Sequence, residues 1–439
     1  MKVIHVPYTW FPSPCGGTEV YVQALAQGLA KMGWHSEVAV ASTEVVENTA
    51  LGAAEVPVHQ VPAPVQMTQA MLYGAGEPSS AAAFGQLLAA QRPEVVHFHA
   101  FTPAVSVLWL EAARALGIAC VYTYHTPTLA CGRGTLLRWG RVPCDGRLTP
   151  WRCAACTLHG LGMGKAVACG LAALSPLTAP LFSKVPFRIW PLIRQRSVAV
   201  RRWLGGMQRV VALSAWSRAV MERNGVPAAK LRLVRHGLAA GGQTERQGDA
   251  EMSGCGEGAR LRLGFFGRVD RAKGLALLAQ VLRLRPNLAV ELHCHLVGES
   301  SAEKKLRVLV DEMRADGRVR IHPPAPPERV IDLMAGYDAV LVPSQGFETG
   351  PLVVLEAFAA GVPVIGSDLG GIAEWVTQGL NGLLCPPGDA EAWALALDGL
   401  SKNADLRARL RAGVKPPPAM TEVAARMVEI YQEAMNDAA

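Results

Sequence analysis

Short apolar runs alternate with helix-period stretches along this chain, and the alternation comes as two separate series. In the first, VIHV (3–6), SEVAVAS (36–42), EVVHFHA (94–100), ACVYTYH (119–125), RVVALSA (209–215) and LRLVRHG (231–237) read as strands. In the second, RLRLGFFGR (260–268), HCHLVGE (293–299), RVRIHPP (318–324), DAVLVPS (338–344), VPVIGSD (362–368) and GLLCPPG (382–388) do the same. Strands that are apolar throughout and separated by helical stretches predict parallel sheets covered on both faces, an α/β class.

The series are parted by AGGQTERQGDAEMSGCGEG (240–258), which is glycine-rich and polar with no apolar period. Such a segment buries little and reads as a connector. The expected organisation is an N-terminal Rossmann-like domain over 1–240 with an insert at about 127–205, a linker over 241–258, and a C-terminal Rossmann-like domain over 259–415. Pro416, Pro417 and Pro418 then set off a last amphipathic helix within 416–439, whose docking site the sequence does not specify. With 439 residues, half of them apolar and 18% charged, each domain can bury its own core, and a disordered polymer is excluded.

The net charge of +7 is unevenly spread. Residues 1–215 hold 17 Lys and Arg against 9 Asp and Glu, and from Arg133 to Arg209 there are 13 basic residues against one acid, Asp145. That stretch should attract anions, either phosphates or acidic lipid heads. Nucleic acid is not expected, because no binding motif accompanies the charge. The start, MKVIHVPYTWF, lacks a long apolar run, so no signal peptide is read and a cytoplasmic location is expected. The apolar segment 166–183 carries Pro176 and Pro180, which argue for an interfacial or core helix rather than a membrane span.

DAVLVPSQGFETGPLVVLEAFAAGVPVIGSD reads as strand, loop, helix, strand. Pro351 suits a first helical position, which predicts a helix from near Gly350 whose free N–H groups and dipole would hold a diphosphate. Glu348 just before that turn and Glu356 inside the helix are spaced to hold hydroxyls on opposite sides of the phosphates. On spacing alone the alternative stays open that both merely complement the helix dipole. In GFFGRVDRAKG, Arg268 and Lys273 share a loop flanked by Gly267 and Gly274, and a planar fork with a mobile ammonium suits a departing diphosphate. His97, His99 and His125 stand at the C-terminal ends of their strands, the edge where open α/β sheets place ligands. His97 and His99 share one strand face and are candidates for an acceptor cleft, or structural histidines.

Together these segments resemble glycosyltransferase family 4, retaining enzymes of the GT-B architecture, in which two Rossmann-like domains face each other across a cleft. The pattern includes Gly16-Gly17 before the first helix, VVHFHA, His125 after VYTY, the FFGR...AKG loop, and Glu348 to Glu356 followed by EAFAAGVPVIGSDLGGIAE. The resemblance implies that Arg268 and Lys273 hold the donor diphosphate and Glu348 the transferred sugar, with Thr349, Gly350, Pro351 and Leu352 around it. It further implies that Glu356 holds the ribose, that Gly16 and Gly17 close over the donor, and that His125 sits beside the sugar. The donor it implies is a nucleotide sugar, UDP- or GDP-linked first. The mechanism it implies is a front-face displacement without a catalytic metal, with a glycan or lipid-linked acceptor. Two departures are His236-Gly237-Leu238-Ala239, where the family commonly has Asn-Gly-Val-Asp, and Thr349-Gly350-Pro351-Leu352, where many members have Phe-Gly-Leu.

The insert holds Cys131, Cys144, Cys153 and Cys156, the last two as C-x-x-C. Four thiolates are a structural zinc candidate, with unligated thiols or a redox disulfide as alternatives. Beyond them, Arg188, Arg194, Arg196, Arg201 and Arg202 interleave with Trp190 and Trp203, a pattern that suits a membrane interface as well as an ordinary solvated face. GLGMGK lacks the P-loop spacing, which argues against a P-loop ATPase, and neither Gly-rich turn fits a dinucleotide fingerprint, which counts against a dehydrogenase. The expected activity is glycosyl transfer, peripheral to a membrane in one version. A nucleotide-sugar 2-epimerase and a non-catalytic scaffold or lipid-binding module are the alternatives.

Overall fold

A computed structural model describes residues 1–11, 16–43, 56–182, 184–239, 260–300 and 302–438. The expected linker 241–258 lies outside the described residues. The chain divides into two compact units, Met1–His236 with Met420–Ala439, and Gly237–Ala419.

The first unit is built on a seven-stranded, all-parallel sheet. Its strands are β1 (Lys2–Val6), β2 (His35–Ser42), β3 (Val58–Pro62), β4 (Val95–Phe98), β5 (Ala119–Tyr124), β8 (Arg209–Ala212) and β9 (Leu231–Leu233), with β6 (Leu137–Arg138) and β7 (Val142–Pro143) forming a separate hairpin. The order is β3-β2-β1-β4-β5-β8-β9. The central strands β4 and β5 are buried at every position, as runs such as VVHF and ACVYTY require. Strand β3 was not legible in the sequence. VHQVP has two adjacent polar residues, lies at a sheet edge and ends on a proline, so it lacks the apolar run of its neighbours.

The final helix, Met420–Asn436, belongs to this first unit. Its buried stripe, Met420, Val423, Ala424, Met427, Ile430, Tyr431 and Ala434, has helical spacing and joins the core cluster of Tyr21, Leu25 and Leu29 from the Gly17–Ala30 helix. Arg209 and Arg232 fasten it through ion pairs to Glu433 at 2.8 and 2.7 Å.

Between β5 and β8 lies the expected insert. A turn at Pro127–Leu129 leads to the β6–β7 hairpin and then to helices Pro150–Gly160, Lys165–Thr178 and Val185–Gly206. The helices share a small core of Ala154, Ala155, Leu158, Ala168, Ala172, Ile189 and Ile193. The doubtful apolar segment is thus mostly the middle helix, with Pro176 inside it. Among the described residues no helix is long and apolar enough to cross a membrane.

The second unit carries a six-stranded parallel sheet of β10 (Leu261–Arg268), β11 (Val290–Val297), β12 (Val319–His322), β13 (Ala339–Val342), β14 (Val364–Ser367) and β15 (Gly382–Cys385), in the order β12-β11-β10-β13-β14-β15. In both units the strand order reverses beside the first strand, between β1 and β4 and between β10 and β13. Adjacent loops there leave the sheet in opposite directions and open a crevice at the C-terminal edge.

Candidate functional site

The loops after β10 and β13 flank the crevice of the second unit and bring the sequence candidates together. After β10, Asp270 accepts a 2.9 Å hydrogen bond from the Lys273 amide and folds the tight turn Arg271–Lys273. Gly274 follows with a φ of +79°, and a Cβ there would come within 1.9 Å of the Pro343 carbonyl, so only glycine lets the two loops meet. The Gln345 amide then donates to the Ala272 carbonyl at 2.6 Å, fastening one loop to the other.

Across this junction the Lys273 Nζ donates to Glu348 Oε1 at 2.9 Å, and the Ser344 hydroxyl donates to the same oxygen. Glu348 is 19% exposed and Lys273 28%, whereas Arg268 is 66% exposed and, among the described residues, pairs with Asp270 at 3.4 Å. Burial would push the Glu348 carboxyl upward. Lys273, the Ser344 hydroxyl and the more distant Arg268 outweigh it and hold the group below the usual carboxylate range.

Glu348 is positioned from behind. Its carbonyl accepts a 2.7 Å bond from the Gly371 amide, and a Cβ on Gly371 would lie 2.6 Å from that carbonyl oxygen. Pro351 also packs over this glycine and is extended, with ψ of 94°. The helix therefore runs over Leu352–Ala359, with Pro351 as its flanking residue and not, as the sequence suggested, its first. Thr349 is buried beside it. Glu356 lies on the helix and is pushed up to about 7 by burial, so near neutrality it exchanges its proton.

In the first unit the histidines form one buried cluster at the ends of β1, β4 and β5. His5 and His97 are paired in register across β1 and β4, and His99 and His125 follow β4 and β5. His5 Nδ1 and His99 Nε2 lie 3.1 Å apart, His99 Nδ1 and His125 Nε2 2.9 Å, giving a hydrogen-bonded run of three imidazoles. His97 is engaged on both ring nitrogens, by Tyr431 at 2.8 Å and Thr123 at 2.7 Å. Tyr21 and His236 pack edge-on against His125 and against each other. Burial lowers His5 to about 3 and His236 to about 4 and takes His97, His99 and His125 well below the ordinary histidine range. All five are neutral near pH 7.

Gly16 caps the first helix and Gly17 opens it. The Gly16 amide donates to Glu19 at 2.8 Å, and the Thr9 amide donates to the other Glu19 oxygen at 3.2 Å, so this buried carboxylate shapes the turn. Sequence reasoning missed Glu19, Ser344, His5 and Tyr21. A Glu three residues past a Gly cap is a readable capping signal, whereas Ser344 is significant only once β10 and β13 are neighbours. His236, noted before as a departure, turns out to be a member of the cluster. The four insert cysteines line one cavity.

Residues 15–240 match the family described as Glycosyltransferase Family 4. The chain belongs to this family. Residues 258–415 match a second family, described as Glycosyl transferases group 1, so the two matches fall on the two series of strands. Relatives include a D-inositol 3-phosphate glycosyltransferase of Xylanimonas cellulosilytica, 34% identical over 177 residues, covering 39% of this chain and 42% of the relative. Another protein of that name, from Stackebrandtia nassauensis, is 38% identical over 162 residues, covering 35% and 36%. The chain thus spans about two fifths of the length of these relatives. Among solved structures, HepE of Anabaena in complex with UDP and glucose aligns with a TM-score of 0.60 at 18% identity, covering 100% of this chain and 99% of that one. Sucrose-phosphate synthase of Thermosynechococcus elongatus aligns at 0.64 with 18% identity and 99% of both chains. At such identities the likeness is one of fold, and it bears out the two Rossmann-like units of the GT-B class.

Proposed function

We propose that this family 4 chain moves a sugar from a nucleotide-sugar donor to a glycan or lipid-linked acceptor, with retention of configuration. The observation that carries the reading is the Lys273–Glu348 pair beside exposed Arg268 at the crevice of the second sheet. A donor diphosphate entering there takes over Lys273 and Arg268, and Glu348, released from its lysine, accepts from hydroxyls of the sugar. Glu356 takes the ribose hydroxyls. UDP-linked donors come first, since HepE was crystallised with UDP and UDP-glucose, and GDP-linked donors second.

In the proposed reaction the acceptor oxygen bonds to the anomeric carbon on the face from which the diphosphate leaves. The diphosphate takes the acceptor's proton as its own bond to the sugar breaks. Charge that grows on it is met by Arg268, Lys273 and the helix start at Leu352, so no divalent ion is assigned to this step. His125 is assigned to the reaction from the first unit, where its neutral ring suits hydrogen bonding rather than charge. Gly16 and Gly17 are assigned to the loop over the donor, and His99 supports His125.

The insert favours a lipid-linked acceptor and peripheral membrane binding. Leu177 is 74% and Leu181 76% exposed, and Val167, Leu174, Phe182, Lys184 and Arg188 of the same stretch are exposed too. Apolar tips with basic neighbours insert at anionic lipid surfaces.

The test is turnover of UDP- and GDP-sugars with a panel of acceptors that includes D-inositol 3-phosphate and polyprenyl-linked glycans. Transfer that is lost in Glu348→Gln supports the reading. Epimerised sugar without any acceptor would replace it with an epimerase, and no nucleotide-sugar binding at all would leave a scaffold.

A further inference from the structure

The four cysteines of the insert come from three different elements. Cys131 follows the Pro127–Leu129 turn, Cys144 follows β7, and Cys153 and Cys156 lie one turn apart on the Pro150–Gly160 helix. They line a cavity of about 30 Å³, room for a single ion. All four thiols are free and partly buried. We infer that this cavity is a structural zinc site ligated by the Sγ atoms of Cys131, Cys144, Cys153 and Cys156, which locks the base of the insert.

The competing cluster is the buried histidines. His5, His97 and His99 present ring nitrogens within 4.8 Å of one another, a convergence the four sulfurs do not reach. Yet both nitrogens of His97 and both of His99 are already hydrogen-bonded within the protein. The four thiols line one common cavity and none is tied up in a disulfide. Four soft thiolates in a tetrahedral set favour zinc over harder cations.

The surroundings fit the charge such a site carries. Zinc displaces four thiol protons, and the resulting tetrathiolate complex has a net charge of −2, which a partly buried site tolerates only with cations and N–H donors around it. Arg133, Arg138, Arg147 and Arg152 line the cavity. Cys156 Sγ accepts from the Trp139 amide at 3.4 Å and from Arg133 Nη1 at 3.7 Å. Arg133 fits there because residue 160 is glycine: a Cβ at that position would come 2.7 Å from the Arg133 Nε. Asp145, the one acid of this stretch, is gripped by Arg152 at 2.5 and 3.0 Å, so its charge is spent. Part of the basic surplus that stood out in the sequence is thereby explained.

The backbone also needs a fastening here. Between Cys131 and Thr149 the only regular structure is a hairpin of two-residue strands. Within it Leu136 and Trp139 have φ of +53° and +58°, conformations that side chains adopt only where their surroundings impose them. A metal crosslink supplies what such a segment cannot draw from a core.

The test is elemental analysis of the full chain purified under thiol reductant without chelator. We expect one zinc per chain in the wild type and in Cys169→Ser, a nearby cysteine outside the cavity. In Cys153→Ser/Cys156→Ser we expect at least tenfold less. Because the wild-type value needs no variant to fold, the inference can be tested regardless of mutant stability. Exchange with cobalt should give a tetrahedral, thiolate-ligated spectrum. Wild-type zinc near zero, iron in its place, a Cys153–Cys156 disulfide in the reduced protein, or zinc retained by the double variant would each overturn the assignment.

Discussion

Lys273 and Glu348 are 75 residues apart in sequence, and their side chains meet at 2.9 Å because β10 and β13 are adjacent strands. Each neutralises the other in the described chain. The pair keeps a half-buried carboxylate ionised and holds the ammonium beside it, and under the proposed function these are charges set in advance for a sugar diphosphate.

Replacing Lys273 by Ala removes a cation from the proposed leaving group and from Glu348. Turnover should fall by about 10² to 10³, the usual effect of losing one charge-stabilising group. KM should change far less than kcat. Burial, no longer opposed by the lysine, should raise the Glu348 pKa. Steady-state kinetics and the acid limb of the pH–rate profile check both parts.

Glu356 titrates at about 7 in the folded chain, above its unfolded value, because it is buried. A raised carboxyl pKa contributes stability that is full below the unfolded value and is lost as pH rises through about 7. Glu356→Gln should therefore be more stable than wild type at pH 8, by on the order of 3 kcal/mol, and differ little at pH 4.5. Donor affinity should show the opposite trend. It should rise with pH through about 7 in the wild type, as the carboxylate forms, and lose that dependence in the variant. Calorimetry at several pH values measures both.

The five buried histidines of the first unit bind protons only on unfolding. Their folded pKa values lie below the ordinary 6.5, so stability is full above that value and is lost as pH falls below it, by about 1 kcal/mol per pH unit for each ring. The unfolding midpoint should drop steeply between pH 7 and 5.5. His5→Asn, which removes a buried ring whose Nε2 has no hydrogen-bond partner among the described residues, should flatten that slope. Thermal melts across this range decide it.

Gly371 touches no substrate in this account, and its amide holds the Glu348 carbonyl. Gly371→Ala puts a methyl group 2.6 Å from that oxygen and must displace the loop. Overpacking of this kind costs about 1 to 3 kcal/mol. Turnover should fall at least tenfold, while Gly399→Ala, on an open helix surface, changes nothing. Comparing kcat of the two variants tests the positioning role.

Membrane binding through the insert predicts co-sedimentation with anionic vesicles that weakens with salt and is absent with neutral ones. Leu177→Glu/Leu181→Glu should reduce the bound fraction severalfold without altering the melting temperature, since both side chains are exposed.

Much of the fold was legible because its signal is local. Every strand with an unbroken apolar run appears in the structure, and the Pro416–Pro418 stop preceded a real helix. What sequence could not supply was adjacency. Nothing in the run RVDRAKG says that Lys273 meets Glu348, or that Gly371 packs beneath it; both follow from the strand order of the second sheet. The histidines show the same limit. VVHFH gave two imidazoles on one strand face, but the partners that occupy His97, Thr123 and Tyr431, come from a neighbouring strand and from a helix 334 residues away. The short β3 was missed for want of apolar contrast, whereas the capping role of Glu19 was missed although its signal, a Glu three residues past Gly16, is local and readable.

The most direct measurement is a crystal structure of the chain with a bound UDP-sugar. The diphosphate should lie against Arg268, Lys273 and the start of the Leu352–Ala359 helix, with the Lys273–Glu348 contact opened and Glu348 turned to the sugar. Nucleotide bound elsewhere in the chain, or bound there with that contact still closed, would contradict the account.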